Sequence, residues 1–227
     1  MSTAERKKYG MVAVASGEGI AATFTELGVD CIVEGGQTQN PSTNDFLDAF
    51  AKVNAEHIFV FPNNSNILMA ANQAAEIYED AEIHVIESKN LGAGYVAICS
   101  ADFENDDAEA VAEGFRSAME TVTTGFVSPA IRDAELDGVQ IKNGDFIGFI
   151  GKHMITSNEQ KSDTVHALIE KMLEGGDKFM LTVFCGKDAT DEEKQALSAY
   201  LSEQHGEVEC YLIEGGQDVY PFIFVAE

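Results

Sequence analysis

Met11-Val12-Ala13-Val14-Ala15, then Ser16-Gly17 and the run from Glu18 to Leu27, is the stretch on which the fold turns. Apolar residues without polar alternation read as a strand buried on both faces, as in a parallel sheet. Glu18 to Leu27 reads as a helix, with Ser16 or Gly17 at its cap and Gly28 ending it. Cys31 to Val33 is then a second strand. Working outward, Asn44 to Val53 reads as a helix capped by Ser42 or Thr43. His57 to Phe61 and Ile83 to Ile86 are strands around a helix from about Asn66 to Tyr78. Another helix spans Asp106 to Val122. The alternation predicts an α/β fold, with a mainly parallel sheet covered by helices.

Around Val122 the texture changes. Gly125 to Leu136 is a long strand-like stretch, and Asp137-Gly138 is a turn. Val139 to Ile141, Asp145 to Ile150 and His153 to Ile155 read as short strands of β-hairpins. A helix over Ser162 to Leu173 leads back to strand (Phe179 to Phe184), helix (Asp191 to Glu203) and strand (Val208 to Ile213). Val219 to Val225 closes the chain as a strand. Two α/β lobes are expected, 1–121 and 122–227, with the hairpins in the second.

The 227 residues are 45% apolar, with 39 acidic against 14 basic side chains and a net charge of −25. Such a surface repels phosphate backbones, so neither nucleic acid nor membrane insertion is expected. No apolar run approaches the ~20 residues of a membrane span. Met1 to Gly10 is polar, unlike a secretory signal, and a cytoplasmic location is expected. Cys31, Cys99, Cys185 and Cys210 form no CxxC pair and read as reduced, mostly buried strand residues without zinc. His57, His84, His153, His166 and His205 show no metal-ligand spacing, so no metal site is expected.

One segment recurs. Glu34-Gly35-Gly36-Gln37-Thr38-Gln39-Asn40-Pro41 reappears as Glu214-Gly215-Gly216-Gln217-Asp218-Val219-Tyr220-Pro221. Each copy follows a cysteine-bearing strand, so a duplicated unit is expected, with Cys31 and Cys210 at equivalent strand positions. A Gly-Gly-Gln loop also catalyses ester hydrolysis in translation release factors, but −25 is wrong for a ribosomal partner, and one loop would suffice. The structural reading predicts positive φ or tight backbone packing at the glycines, and glutamine side chains bonded to backbone. Phe61-Pro62-Asn63-Asn64-Ser65-Asn66 ends a strand and opens a helix. Its asparagines serve either as caps or, with Lys89 from the next strand end, as an anion site. Asn63, Asn64 and Lys89 should border the Gln37 loop, because ligands of open α/β sheets collect at the strands' carboxyl ends. Arg132-Asp133 lies inside a predicted strand, where the Arg either pairs with a carboxylate or faces a partner. Gly17-Glu18-Gly19 lacks the spacing and lysine of a nucleotide loop, and no GxSxG or HExxH is present.

Taken together, Gly35 to Thr43, Pro62 to Asn66, Gly17-Glu18-Gly19, Leu27 to Asp30, Thr124 to Asp133, Ile141 to Gly148 and Gly215 to Glu227 resemble one family. It is the C-terminal domain of the bacterial fatty acid kinase A-subunit, also labelled dihydroxyacetone-kinase-like or "DAK phosphatase". The resemblance runs from about Tyr9 to Glu227. It departs at Gln39 and Ser65, where the family has Met and Lys, and over Glu87 to Gly94, where the family's prolines are lost. It implies the two-lobed fold of DegV lipid-binding proteins and of the dihydroxyacetone kinase K subunit. ATP and magnesium are implied only for an N-terminal kinase domain absent from these residues, and no cofactor for this chain.

By this resemblance the chain is expected to be a non-catalytic domain of a kinase that forms acyl phosphate. Its implied partners are the full-length protein's own ATP-binding domain and a DegV-type fatty-acid-binding subunit, with a homodimer also compatible. Candidate contact residues are Gly35, Gly36, Gln37 and Asn40, their counterparts Gly215, Gly216, Gln217 and Tyr220, then Asn63, Asn64, Asn66, Lys89, Arg132 and Asp133. Catalytic residues are not expected. The alternative is a stand-alone lipid or small-molecule binder of the same fold, with Phe146, Ile147, Phe149, Ile150 and Met154 as core or lining.

Overall fold

In the computed structural model, which describes residues 5–36 and 38–227, the apolar run read first becomes the centre of a sheet. Expectations about Gln37 and residues 1–4 lie outside the described residues. Strand β1 (Lys7–Ala15) has its last seven residues buried. It pairs in parallel with β2 (Cys31–Glu34) on one side and β3 (Ala55–Phe61) on the other. Strand β4 (Glu82–Val85) pairs in parallel with β3, giving the order β2-β1-β3-β4. Parallel neighbours need crossovers. Helices α1 (Glu18–Glu26), α2 (Thr43–Lys52) and α3 (Leu68–Ile77) supply them. Ser42 caps α2 and exchanges hydrogen bonds with Asp45, a capping box.

One face of this sheet packs Val12, Val14, Ile58 and Val60 on Phe46 and Phe50 of α2 and on Ala71 and Ala74 of α3. The other face is aromatic. Tyr9 and Phe59 meet Phe103, and Phe59 and Phe61 meet Phe115 of α5 (Ala108–Glu120) edge-on. Helix α4 (Leu91–Cys99), capped by Asn90, was not legible in the sequence. Gly92 and Gly94 lower its helix propensity, and it is apolar on most sides, so the period that marks a surface helix is missing.

The second unit holds a six-stranded sheet ordered β11-β10-β12-β5-β8-β9. Its strands are β5 (Thr123–Pro129), β8 (Phe146–Ile150), β9 (His153–Asn158), β10 (Met180–Cys185), β11 (Glu209–Glu214) and β12 (Phe222–Ala226), and a separate hairpin is formed by β6 (Ala134–Leu136) and β7 (Val139–Ile141). The parallel expectation holds for β10 with β11; β12, β5, β8 and β9 join antiparallel. The stretch read as one strand from Gly125 to Leu136 breaks after Pro129, where Ala130 leaves the ladder to bond Asp145 and Gly144. Asp137 and Gly138 both take positive φ, as a two-residue hairpin turn requires. Strand β12 starts at Phe222 rather than Val219, since Val219 sits at φ +70 and leaves the extended region. Helices α6 (Lys161–Leu173) and α7 (Asp191–Gln204) cover the sheet with Leu168, Ile169, Leu197 and Leu201.

The chain divides into two units: residues to Ser16 with Ala21–Thr121, and Val122–Glu227 with the four-residue segment Gly17–Ile20.

Candidate functional site

The two copies of the repeat do matching work in their own units. Gly35 N–H donates to the carbonyl of Ala15, the last residue of β1, at 3.1 Å; Gly215 N–H donates to that of Cys185, the last residue of β10, at 2.9 Å. Each first glycine therefore latches a strand end onto its parallel neighbour. Gly35 and Gly215 are buried, as are Pro41 and Pro221 at the repeats' ends. A Cβ on Gly35 would lie 2.6 Å from Pro41 Cγ, closer than any side chain allows. Gly36 closes a short loop by exchanging backbone hydrogen bonds with Gln39, leaving Asn40 exposed.

In the second copy, Gly216 has φ +69, which favours glycine. Gln217 is 3% exposed. Its Nε2 donates to the Phe184 carbonyl at 2.8 Å, while its Oε1 is buried without a partner among the described residues and faces Gly215 closely enough to exclude a Cβ there. The bond is to strand backbone, not to the loop backbone expected. Tyr220 packs its ring on Phe126 and Phe149, and burial pushes its hydroxyl up to about 12. Gly17-Glu18-Gly19 belongs to this same place. The amide of Ile20 donates to Gly215 O at 3.0 Å, and a Cβ on Gly19 would lie 1.6 Å from Glu214 O. The glycine pair is there for close backbone approach, a role that its sequence neighbours do not reveal.

In the first unit Asn63 takes the left-handed conformation, φ 58, which asparagine tolerates. Its N–H donates to Ser88 Oγ at 3.0 Å and its Nδ2 to Val14 O at 2.9 Å, so it ties the ends of β1 and β3 to the loop after β4. Asn63 Oδ1 is buried and has no partner among the described residues, and a Cβ on Gly94 of α4 would sit 1.7 Å from it. Asn64 Oδ1 accepts from Asn66 N–H and opens the 3-10 turn Ser65–Ile67. The Asn63 amide and side-chain donors and the Asn66 amide are thus engaged within the protein. Asn66 and Lys89 are exposed.

Arg132 is not in a strand. It occupies the bend after β5, exposed, and makes no ion pair among the described residues. Asp133 accepts from Asn143 N–H at 2.7 Å and braces the hairpin loop. Beside them Ile131 is 86% exposed, more than any other large hydrophobic side chain among the described residues. No disulfide links the four cysteines; Cys185 is buried, Cys31 and Cys210 are half-buried, and Cys99 is exposed at the end of a helix rather than buried in a strand. Cys31 opens β2, whereas Cys210 is the second residue of β11 and stands one position further from its glycine pair, so the two are not equivalent. Burial pushes the Cys185 thiol up to about 11. Phe149, Ile147 and Met154 pack into one apolar cluster with Ala130 and Ile141. Sequence reading also missed a grouping of His57, Glu82 and His84, which only strand pairing brings together.

Protein YloV of Bacillus subtilis is 40% identical over 222 residues, 98% of this chain but 40% of its own length, so the chain spans about two fifths of the curated relatives it matches. Among solved structures, a fatty-acid-binding DegV family protein from Thermus thermophilus superposes with TM-score 0.67 at 12% identity, covering 97% of this chain and 99% of that one. Dihydroxyacetone kinase from C. freundii gives TM-score 0.68 at 13% identity, covering 99% of this chain and 49% of that one. At such identities the likeness is one of fold. The FakA-like C-terminal family, that of the fatty acid kinase A-subunit and its like, matches residues 10–227, and the chain belongs to it.

Proposed function

We propose that the chain is the non-catalytic docking part of a fatty acid kinase and binds the DegV-type subunit that presents the acyl chain. The observation that carries this reading is Ile131, 86% exposed next to the exposed Arg132, on the segment that leads into the β6–β7 hairpin. An exposed aliphatic anchor beside an arginine has the composition of a binding hot spot. It also places a cation where a chain of net charge −25 offers few. Leu136 on the same hairpin is 48% exposed and extends the apolar surface. Family membership and the short share of YloV that the chain spans support a part that acts beside a separate catalytic region. The strand-end loops are engaged in backbone latching, which argues for a scaffold rather than a reaction centre.

The test is calorimetric titration with a fatty-acid-loaded DegV-type subunit. Ile131→Asp and Arg132→Ala should each weaken binding at least tenfold, about 1.4 kcal/mol, with the melting temperature unchanged. Unaltered affinity in both variants would remove the hairpin from the interface.

A further inference from the structure

His57 and Glu82 stand opposite each other in the parallel register of β3 and β4, and His84, two residues along β4, points to the same face. Three side chains from two strands therefore converge. His57 Nδ1 lies 3.1 Å from His84 Nε2 and 3.3 Å from a Glu82 carboxylate oxygen; His84 Nε2 lies 3.7 Å from the other oxygen. Ligands held at ~2.05 Å around a tetrahedral ion are ~3.3 Å apart. The two separations from His57 come close to that edge length, and the third runs to the other carboxylate oxygen.

We propose that His57, Glu82 and His84 form a site for a divalent transition-metal ion of the zinc class. One shared proton can bridge the two imidazoles, but a cation satisfies the lone pairs of all three groups at once. Two imidazoles and a carboxylate suit zinc-like ions rather than magnesium or calcium. The walls are firm: Phe59 stacks on the His84 ring at 5.0 Å and Tyr9 packs beside His57 at 5.7 Å. Glu82 is exposed, so the grouping is open to water on that side. Arg116, a cation of α5, is paired with Glu109 and Glu113. The site lies at the amino-terminal end of β4, away from the strand-end loops of Gly35 and Asn63, and it does not rest on the docking reading.

The experiment uses the whole chain, stripped with chelator and titrated with Co2+ in excess Mg2+, which occupies carboxylate-only sites. One Co2+ per chain with a tetrahedral visible spectrum, displaced by Zn2+, is expected. The His57→Gln/His84→Gln double variant should lose affinity by about 100-fold or more. Should that variant fail to fold, histidine ring NMR of the unaltered chain decides. Zn2+ should shift His57 and His84 and leave His153, His166 and His205 in place. No Co2+ uptake, uptake equal in the double variant, or shifts confined to the other three histidines would overturn the site.

Discussion

Gly19 shows how a single missing methyl group holds a fold together. With Glu214 O at 1.6 Å from where a Cβ would stand, Gly19→Ala forces backbone apart, and the expected loss is about 2–3 kcal/mol in urea unfolding. Gly114, inside α5, has nothing within 4 Å of its Cβ position. There Gly→Ala should stabilise by about 0.5–1 kcal/mol, through helix propensity and the unfolded state. Equal effects at the two positions would show that Gly19 is not packed as described. Gln217 makes the complementary case. Gln217→Ala removes the donor to Phe184 O and should cost about 1–3 kcal/mol. Gln217→Glu should cost more, since a carboxylate buried there has no proton to donate; a Glu variant as stable as Ala would contradict this. The motif Gly17-Glu18-Gly19 was visible in the sequence, but its reason was not, because the partner loop lies far along the chain.

Among elements, those with regular apolar runs and caps were legible: β1, the α2 cap at Ser42 or Thr43 and the Asp137-Gly138 turn follow from local chemistry. Helix α4 was hidden by its glycines, and the break after Pro129 by a stretch whose composition stays strand-like. The His57, Glu82 and His84 grouping was out of reach for another reason. Each residue was placed in or next to a strand, but the register of β3 against β4 decides whether they meet. The α6–α7 pair yields a pH prediction. Hydrogen bonds from the Tyr200 hydroxyl and then from His205 hold the Glu170 carboxyl below its ordinary 4.5. The unfolded chain therefore takes up this proton first as pH falls. The stabilisation is complete above 4.5 and drains away as pH drops through the lower native value. Glu170→Gln should thus be less stable than the unaltered chain at neutral pH and lose less on acidification. Urea midpoints compared at neutral and acid pH check this; parallel pH profiles would contradict it.

For the molecule as a whole, the alternation of strand and helix patterns sufficed for the α/β class, and the repeat with the scattered motifs for the family. Which surface meets a partner was not legible. Arg132 read as a strand residue, and its exposure beside Ile131 depends on where β5 ends. No helix among the described residues is long and apolar enough to cross a membrane. The docking account is tested most directly by competition. A full-length family kinase, its DegV-type subunit, fatty acid and ATP are mixed with an excess of this chain, and acyl phosphate is measured. The account predicts that the chain lowers acyl-phosphate formation by capturing the binding subunit, that Ile131→Asp abolishes the inhibition, and that chain and binding subunit by themselves make no acyl phosphate. Acyl phosphate from that minimal mixture, or undiminished formation at saturating chain, would contradict it.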